Sequence, residues 1–307
     1  MKGLIKYMKG LEISEKCFRE SFMPAVEAEY GEAAEAICAG LCGGGSECYG
    51  CDDKISRDHD FSDGFYIWLT EDDDIRYGVG LSRIYRSIVK SEGRRSVEGR
   101  ARGVCTVGSF YLGYLGTRGL PESLVDWALL PEYALYEACN GRVFCDNRGE
   151  FSRIREALLD IPEDVLRKKL ACRLINMAQS GQYNYTRCLA HGERGAARFA
   201  LDEFCKNAVS AAFLLNKSYT PYYKWALRKL SELDNMKTFA GLTEELLWEK
   251  DEKKCSEMIE NICQRIARMT VDAGLCSQCG DYLEPYAYGV YNGIASRELK
   301  TVHIMEG

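Results

Sequence analysis

The sequence is short of several features that mark common classes of protein. No apolar run approaches the roughly 18 residues of a membrane-spanning helix, so we expect no membrane partner. Positive charge is not in excess, because 40 Lys and Arg residues stand against 46 Asp and Glu residues, for a net charge of −6 at pH 7. General attraction to a phosphate backbone is therefore weak, which disfavours nucleic acid as a partner. Internal repeats, low-complexity tracts and long linkers are missing as well.

The first residues lack the long apolar segment of a secretory signal, so we expect a cytoplasmic location. Fifteen cysteines is a high count, but the number is odd, and reduced thiols fit better than a disulfide framework. The pairs Cys48/Cys51 and Cys276/Cys279 have zinc-ligand spacing, but they lie far apart in the chain. We therefore expect most of the cysteines to pack as small apolar residues.

A chain of 307 residues with 46% hydrophobic and 28% charged residues is typical of a globular protein with a substantial core. Helices alternate with short strands up to about residue 150. The predicted strands are 37–42, 65–69, 103–110 and 142–145. Beyond that point the predicted elements are helices at 163–180, 185–216, 222–233, 243–273 and 282–299. The predicted fold class is α+β, with a mixed α/β domain at 1–150 followed by an all-α domain at 151–307.

Local signals also fix the first helix and one amphipathic helix. Ser14 has the side chain of an N-cap, and helical spacing of apolar residues continues from it to Gly31. A second, amphipathic helix is predicted to have Leu81, Ile84, Tyr85 and Ile88 on one face.

The most informative stretch is a small-residue turn followed by two acids. Eleven residues separate Ser46, the end of the Gly44-Gly45-Ser46 turn, from Asp58-His59-Asp60. Two carboxylates spaced i, i+2 at the start of a strand share one face, and they can hold Mg²⁺ through hard oxygen ligands. Bare backbone N–H groups in a glycine turn suit phosphate. The pattern is typical of a site that binds a nucleoside triphosphate with a metal ion.

Four stretches, 45–49, 52–60, 178–185 and 213–225, carry a resemblance that covers roughly residues 14 to 230. On these the chain resembles the nucleotidyltransferase-fold superfamily, in its minimal and aminoglycoside-type branch. More closely, it resembles a bacterial family catalogued as a domain of unknown function (4037). The resemblance implies a nucleotidyltransferase-like first domain that uses Mg²⁺ or Mn²⁺ to move NMP, with AMP from ATP expected first, to a hydroxyl of a small molecule or a protein.

The resemblance also implies roles for individual residues. Asp58 and Asp60 are implied as the catalytic and metal-holding residues. The implied nucleotide-binding residues are Gly44, Gly45, Ser46, Lys54 and Arg57. Strand alternation points His59 away from the two aspartates, so we expect it to be structural. Arg94, Arg95, Arg100 and Arg102 form a basic segment that is either a solvated loop or a clamp on the triphosphate.

Two departures from the superfamily pattern favour an alternative function. Residues 61–64 separate Asp60 from the apolar strand, which makes Asp63 a candidate third oxygen donor. A third acid is expected on a later strand, but 103–110 contains none; Glu98 lies ahead of it and Asp146 ends the next strand. The alternative is a catalytically weak or inactive nucleotide-binding module, similar to an antitoxin.

The helical half is expected to supply the acceptor site. Polar and aromatic residues cluster at 179–187 and at 219–225, and tyrosines can stack on a base or a sugar. The candidate acceptor-binding residues are Tyr183, Arg187, Glu193, Tyr223 and Lys224. The resemblance to aminoglycoside-type enzymes also implies a helical-domain carboxylate as general base, a role that Glu193 or Glu203 would fill. A further possibility is a helical ribonuclease built on Arg187 and His191, which lie one helical turn apart.

Overall fold

The computed structural model describes residues 8–53, 55, 64–89 and 102–307. Its fold class is α+β, as predicted: the described residues form helices and a four-stranded mixed sheet. The chain forms two compact units, one made of Met1–Leu120 and Ala134–Leu159 and the other of Pro121–Tyr133 and Asp160–Gly307. The division into domains at residue 150 and the nucleotidyltransferase-like character of the first domain stay predictions.

The strands are β1 (Cys38–Leu41), β2 (Tyr66–Leu69), β3 (Gly103–Thr106) and β4 (Arg142–Asp146). The α-helices are, in chain order, α1 (Gly10–Cys17), α2 (Met23–Tyr30), α3 (Glu71–Asp73), α4 (Val79–Ile88), α5 (Val107–Leu115), α6 (Leu124–Leu129), α7 (Glu132–Cys139), α8 (Glu150–Leu159), α9 (Glu163–Met177), α10 (Thr186–Ala190), α11 (Arg194–Leu215), α12 (Tyr223–Glu232), α13 (Lys237–Trp248), α14 (Glu252–Asp272) and α15 (Leu283–Asn292). The π-helical segments are Phe18–Phe22, Asp74–Gly78 and Ala178–Tyr185, and the 3₁₀ segments are Gly31–Ala36 and Leu299–Thr301.

The sheet has the order β3-β2-β1-β4 and lies in the first unit. β1 pairs antiparallel with β2 and β4, and β2 pairs parallel with β3. Successive side chains of a strand point to opposite faces, and here both faces are covered. On one face Ile67 packs into a core with Phe18 and Phe22, and on the other Trp68 stacks on Phe151 at a centroid distance of 3.8 Å. This explains why every residue of β1 and β2 is buried.

Two predicted element boundaries in this unit are wrong by about four residues. Ser14 is not an N-cap, since α1 begins at Gly10; Ser14 is buried, and its hydroxyl donates to the Gly64 carbonyl at 3.1 Å. The strand predicted at 103–110 ends at Thr106, whose Oγ1 accepts a hydrogen bond from the Ser109 N–H at 3.0 Å. That bond caps the first turn of α5. The apolar residues after Thr106 are compatible with either a strand or a helix, and the cap favours the helix.

In the second unit the described residues form helices joined by turns and loops. The helix α9 packs against both α11 and α15. The core includes Leu170, Leu174, Phe204 and Phe213, all at most 1% exposed. The helix predicted at 185–216 is broken, because Gly192 adopts φ +75° after α10 and ends it. No helix in the described part of the chain is long and apolar enough to span a membrane.

Candidate functional site

One end of the sheet carries the part of the predicted nucleotide site that the structure describes, the Gly44–Ser46 turn. We call it the glycine end: the end of β1 at Leu41 and the starts of the other three strands at Tyr66, Gly103 and Arg142. The Gly44–Ser46 turn follows β1, so it leaves the sheet from this end. Gly64, four positions after Asp60 in the sequence, precedes β2 and enters the sheet from the same end.

The predicted site residues fall into two sets. Gly44, Gly45 and Ser46 are described and form the turn. Lys54, Arg57, Asp58 and Asp60 lie outside the described residues, as do His59, Asp63, Arg94, Arg95, Glu98 and Arg100. The metal and phosphate roles of this second set stay predictions.

Neighbouring polar groups hold the start of the turn in place. The Gly43 N–H donates to the Asn140 side-chain oxygen at 2.7 Å, and the Asn140 amide donates back to the Gly43 carbonyl at 2.9 Å. The Gly44 N–H donates to the Tyr114 hydroxyl at 3.3 Å. Gly43 has φ +101°, and a Cβ there would lie 2.0 Å from the Tyr114 hydroxyl oxygen, so this position requires glycine.

The end of the turn has backbone groups available to a ligand. Gly45 is exposed, has φ +114°, and accepts hydrogen bonds from the N–H groups of Cys48 and Tyr49 at 3.0 and 3.4 Å. Its carbonyl therefore starts a short helical turn. Within the described residues no acceptor faces the backbone N–H groups of Gly45 and Ser46. Two such adjacent N–H groups form a concavity that suits an anion.

A buried ion pair lies against this turn. Arg102, directly before β3, donates through Nη2 to the carboxylate of Glu47, which follows Ser46 and is 5% exposed. Arg102 also donates through Nη1 to the Gly64 carbonyl at 3.5 Å. Burial alone would lower the pKa of the Arg102 guanidinium, but the neighbouring charges, Glu47 among them, raise it above its ordinary value. Arg102 is therefore a permanent positive charge at the glycine end.

A second carboxylate also faces the turn. Glu137, on α7, accepts a hydrogen bond from the Tyr49 hydroxyl at 2.7 Å. Both of its carboxylate oxygens lie 3.7 Å from the position that a Cβ would take at Gly44. Sequence reasoning missed both glutamates. Glu47 could have been found from its place beside Ser46, whereas nothing in the sequence links Glu137 to the turn.

Asp146, one candidate for the third carboxylate, lies at the other end of the sheet. It pairs with Cys38 at the start of β1, and its oxygens accept the N–H groups of Gly149 at 2.9 Å and Ser152 at 2.7 Å. It therefore caps α8. Among the described residues no group of three His, Cys, Asp or Glu side chains could hold a metal ion.

The second unit contains a buried polar network centred on Glu132, which is 6% exposed. One carboxylate oxygen accepts from Arg173 Nε at 3.0 Å and from the Ser210 hydroxyl at 2.7 Å. The other accepts from the Thr220 N–H at 3.1 Å and from the Thr220 hydroxyl. Burial alone would raise the pKa of the Glu132 carboxyl, but the positive charges of Arg173 and Lys169 hold it below its ordinary value. The carboxylate is charged and fully bonded.

Lys169 is the second buried charge of this network. Its ammonium group donates to the carbonyls of Ala128 at 2.8 Å and Leu130 at 2.7 Å, and the side chain is fully buried. Burial lowers its pKa to about 8, against the opposing effect of Glu132. The network ties the end of α6 and the start of α7 to α9, α11 and the chain that precedes α12.

All of these network residues fall in one segment that resembles a known family. Residues 127–226 match the family model of a Domain of unknown function (DUF4037). No curated protein and no solved structure matches the chain. The DUF4037 segment thus contains the Glu132 network, while the glycine turn at Gly44–Ser46 lies before it.

The predicted acceptor-binding residues form separate local groups around the DUF4037 segment's helices. Tyr183 is 53% exposed, and the Arg187 guanidinium lies 5.5 Å from its ring centre. The ring of Tyr223, at the start of α12, lies 4.4 Å from that of Tyr222. The Lys224 ammonium lies 4.9 Å from the Trp225 ring. These groups are cationic and aromatic, which suits stacking on a planar ring.

The acidic candidates and His191 lie in simpler surroundings. Glu193 is exposed and precedes α11, and His191 is exposed at the end of α10. Glu203 accepts a hydrogen bond from Asn207 on its own helix at 2.8 Å. Most of the cysteines are buried, as predicted, and burial raises the pKa of Cys42 to about 12.

Proposed function

We propose that this chain is a nucleotidyltransferase, dependent on Mg²⁺ or Mn²⁺, that transfers NMP to a hydroxyl of a small molecule or a protein. AMP from ATP is the first candidate. The observation that carries the proposal is the glycine end of the sheet. There the backbone N–H groups of Gly45 and Ser46, which have no acceptor among the described residues, share one end of the sheet with Gly64, which follows Asp58 and Asp60 in the sequence. That arrangement suits binding of a triphosphate beside two carboxylates.

In this proposal Asp58 and Asp60 would hold the metal ion, since carboxylate oxygens are the ligands that Mg²⁺ prefers. The ion, when bound, offsets negative charge on the triphosphate. The backbone at Gly44, Gly45 and Ser46 would bind the outer phosphates. Lys54 and Arg57 would contact them as well.

The acceptor hydroxyl oxygen would form a bond to the α-phosphorus as the bond to pyrophosphate breaks. Its proton would pass to a carboxylate, for which Glu193 is the candidate. Tyr183, Arg187, Tyr223 and Lys224 would hold the acceptor through stacking and charge.

Thermal unfolding with each of four nucleoside triphosphates, with and without Mg²⁺, tests the nucleotide site. A ligand at 100 times its Kd should add about 2.7 kcal/mol to the free energy of unfolding. We expect a Mg²⁺-dependent increase that disappears in Asp58→Asn/Asp60→Asn. The control, Asp160→Asn/Asp234→Asn, makes the same change of charge at two exposed positions and should keep the increase.

No stabilisation by any nucleotide would overturn the proposal. Stabilisation without pyrophosphate release across a panel of hydroxyl acceptors would favour the nucleotide-binding module instead.

A further inference from the structure

At the glycine end, three segments that are distant in the sequence meet at one side chain. Arg102 precedes β3, and it donates to Glu47 in the turn that follows β1 and to the carbonyl of Gly64 before β2. The Arg102 side chain is 18% exposed and that of Glu47 is 6% exposed, so the pair is largely shielded from water. The guanidinium therefore bridges the turn and the chain that follows Asp60.

We propose that Arg102 and Glu47 are a positioning pair, which holds the glycine turn and the chain entering β2 in the register that one nucleoside triphosphate requires. This inference rests on the proposed function. In it, Arg102 and Glu47 contact neither the metal ion nor the reacting atoms. They act through the Gly45–Ser46 backbone on one side and through Gly64 on the other.

The chemistry of the pair suits this role. A guanidinium presents several N–H donors in a rigid plane, so it can donate to a carboxylate and to a carbonyl at fixed angles. A charged hydrogen bond of this kind is about twice as strong as a neutral one. A lysine at the same position would keep the charge but would lose the planar fork.

The pair also fills the space beside the turn. A Cβ at Gly45 would lie 3.0 Å from a Glu47 carboxylate oxygen and 3.2 Å from Arg102 Nη2. The backbone whose N–H groups lack acceptors in the described chain thus rests directly on the ion pair. We therefore expect a change in the pair to move those N–H groups.

The opposite end of the same sheet offers a matched control. Arg148 donates to the Asp73 carboxylate through Nε at 3.1 Å and through Nη2 at 3.2 Å. The Asp73 side chain is 6% exposed, as is that of Glu47. This pair lies beside the start of α3, where the Thr70 hydroxyl oxygen accepts the Asp73 N–H at 3.1 Å.

The experiment measures the Kd of a non-hydrolysable ATP analogue with Mg²⁺ by calorimetry, for the wild type, Arg102→Lys, Glu47→Gln, the double variant and Asp73→Asn. We expect each single change at the pair to weaken binding at least tenfold. The double variant should bind no more weakly than the weaker single variant, because both changes remove the same contact. Asp73→Asn should stay within twofold of the wild type. Thermal unfolding of each protein checks that it is folded. If Arg102→Lys does not fold, Arg102→Gln takes its place.

The possible results separate this inference from the proposed function. Wild-type affinity in Arg102→Lys and Glu47→Gln would overturn the positioning role while leaving the nucleotide site intact. Losses that multiply in the double variant would also overturn it, since they would mean two independent contacts. An equal loss of nucleotide affinity in Asp73→Asn would also overturn the positioning role, because it would mean that any loss of a buried ion pair weakens binding. A wild type that binds no nucleotide would overturn the proposed function itself.

Discussion

Two buried glutamates, one in each unit, are held in different ways. Glu132 accepts hydrogen bonds from Arg173, from Ser210 and from both the N–H and the hydroxyl of Thr220. Glu47 accepts from Arg102 and, at 3.4 Å, from the Ser46 hydroxyl. Both are shielded from water, so each carboxylate needs partners to offset its loss of hydration.

The difference lies in what surrounds the two acids. Each oxygen of Glu132 has two donors, all from elements of the same unit, and its role is to fix how those elements pack. Glu47 lies beside exposed glycines, and the backbone it supports has N–H groups without acceptors in the described chain. The closed Glu132 network stabilises the fold. The Arg102–Glu47 ion pair lies beside an exposed turn, where it can position backbone groups that bind a ligand. The following predictions test that contrast.

Replacing Glu132 should have the largest effect on stability. In Glu132→Ala, the buried ammonium of Lys169 and the partly buried guanidinium of Arg173 lose their counter-charge, so we expect a loss of about 3 to 5 kcal/mol in the free energy of unfolding. Urea denaturation measures it. The control is Glu257→Ala, which removes an exposed ion pair with Lys253 and should cost about 1 kcal/mol or less. A loss below that of the control would mean that the network does not stabilise the fold.

The buried amine of Lys169 should make stability depend on pH. Burial lowers its pKa to about 8, whereas it is about 10.4 in the unfolded chain, so between these values the unfolded chain binds more protons. Stability of the wild type relative to Lys169→Met should therefore rise with pH across this window, by about 3 kcal/mol, and be flat below pH about 8. Denaturation at a series of pH values measures the difference.

The control for Lys169 is Lys206→Met, at a side chain that is 73% exposed. Its difference from the wild type should not vary over the same pH range by more than a few tenths of a kcal/mol. A flat difference for Lys169→Met as well would contradict the burial of a charged amine.

Removing one donor from Glu132 should cost less than removing the acid. In Ser210→Ala the carboxylate keeps its bonds to Arg173 and Thr220, and a hydrogen bond to a charged group contributes about 2 kcal/mol. Ser231→Ala removes a hydroxyl that donates to the Arg228 carbonyl near the surface, and it should change stability by about 0.5 kcal/mol or less. Equal losses of stability in the two variants would mean that the hydrogen bond from Ser210 to Glu132 stabilises the fold no more than a surface hydrogen bond does.

The smallest effect on stability is expected at Glu47. In Glu47→Gln the amide oxygen can still accept a hydrogen bond from Arg102, so the loss should be about 1 kcal/mol. The same variant should show the large loss of nucleotide affinity described above. A loss of stability as great as that of Glu132→Ala would make Glu47 a structural residue, and the contrast between the two acids would fail.

Much of the fold could be predicted from local patterns. The strands predicted at 37–42 and 65–69 lie at β1 and β2, shorter by a residue or two. The periodicity that predicted a helix with Leu81, Ile84, Tyr85 and Ile88 on one face is confirmed by α4, where the first three are buried and Ile88 packs partly buried against the same core. These predictions succeeded because alternation and helical spacing depend only on near neighbours in the chain. The α+β class followed from them.

The candidate site was predicted only in part. The Gly44–Ser46 turn was found from its residue types, and its place at the end of β1 agrees with the strand predicted before it. The resemblance suggested Asp58 and Asp60, which stay predictions. Arg102 was found only as one of several basic residues, with no sign of its partner.

By itself, the sequence determined the alternation of short strands and helices, the helical second half and the glycine turn, because each is encoded within a few consecutive residues. Only the tertiary structure decided which polar and charged side chains are buried and which partners they contact. Ser14 bonds to Gly64 across 50 residues, Glu132 to Arg173 across 41 and Glu47 to Arg102 across 55. A charged residue in the sequence is expected at the surface, and it can be buried only where distant segments bring it a partner. That pairing is a property of the folded chain.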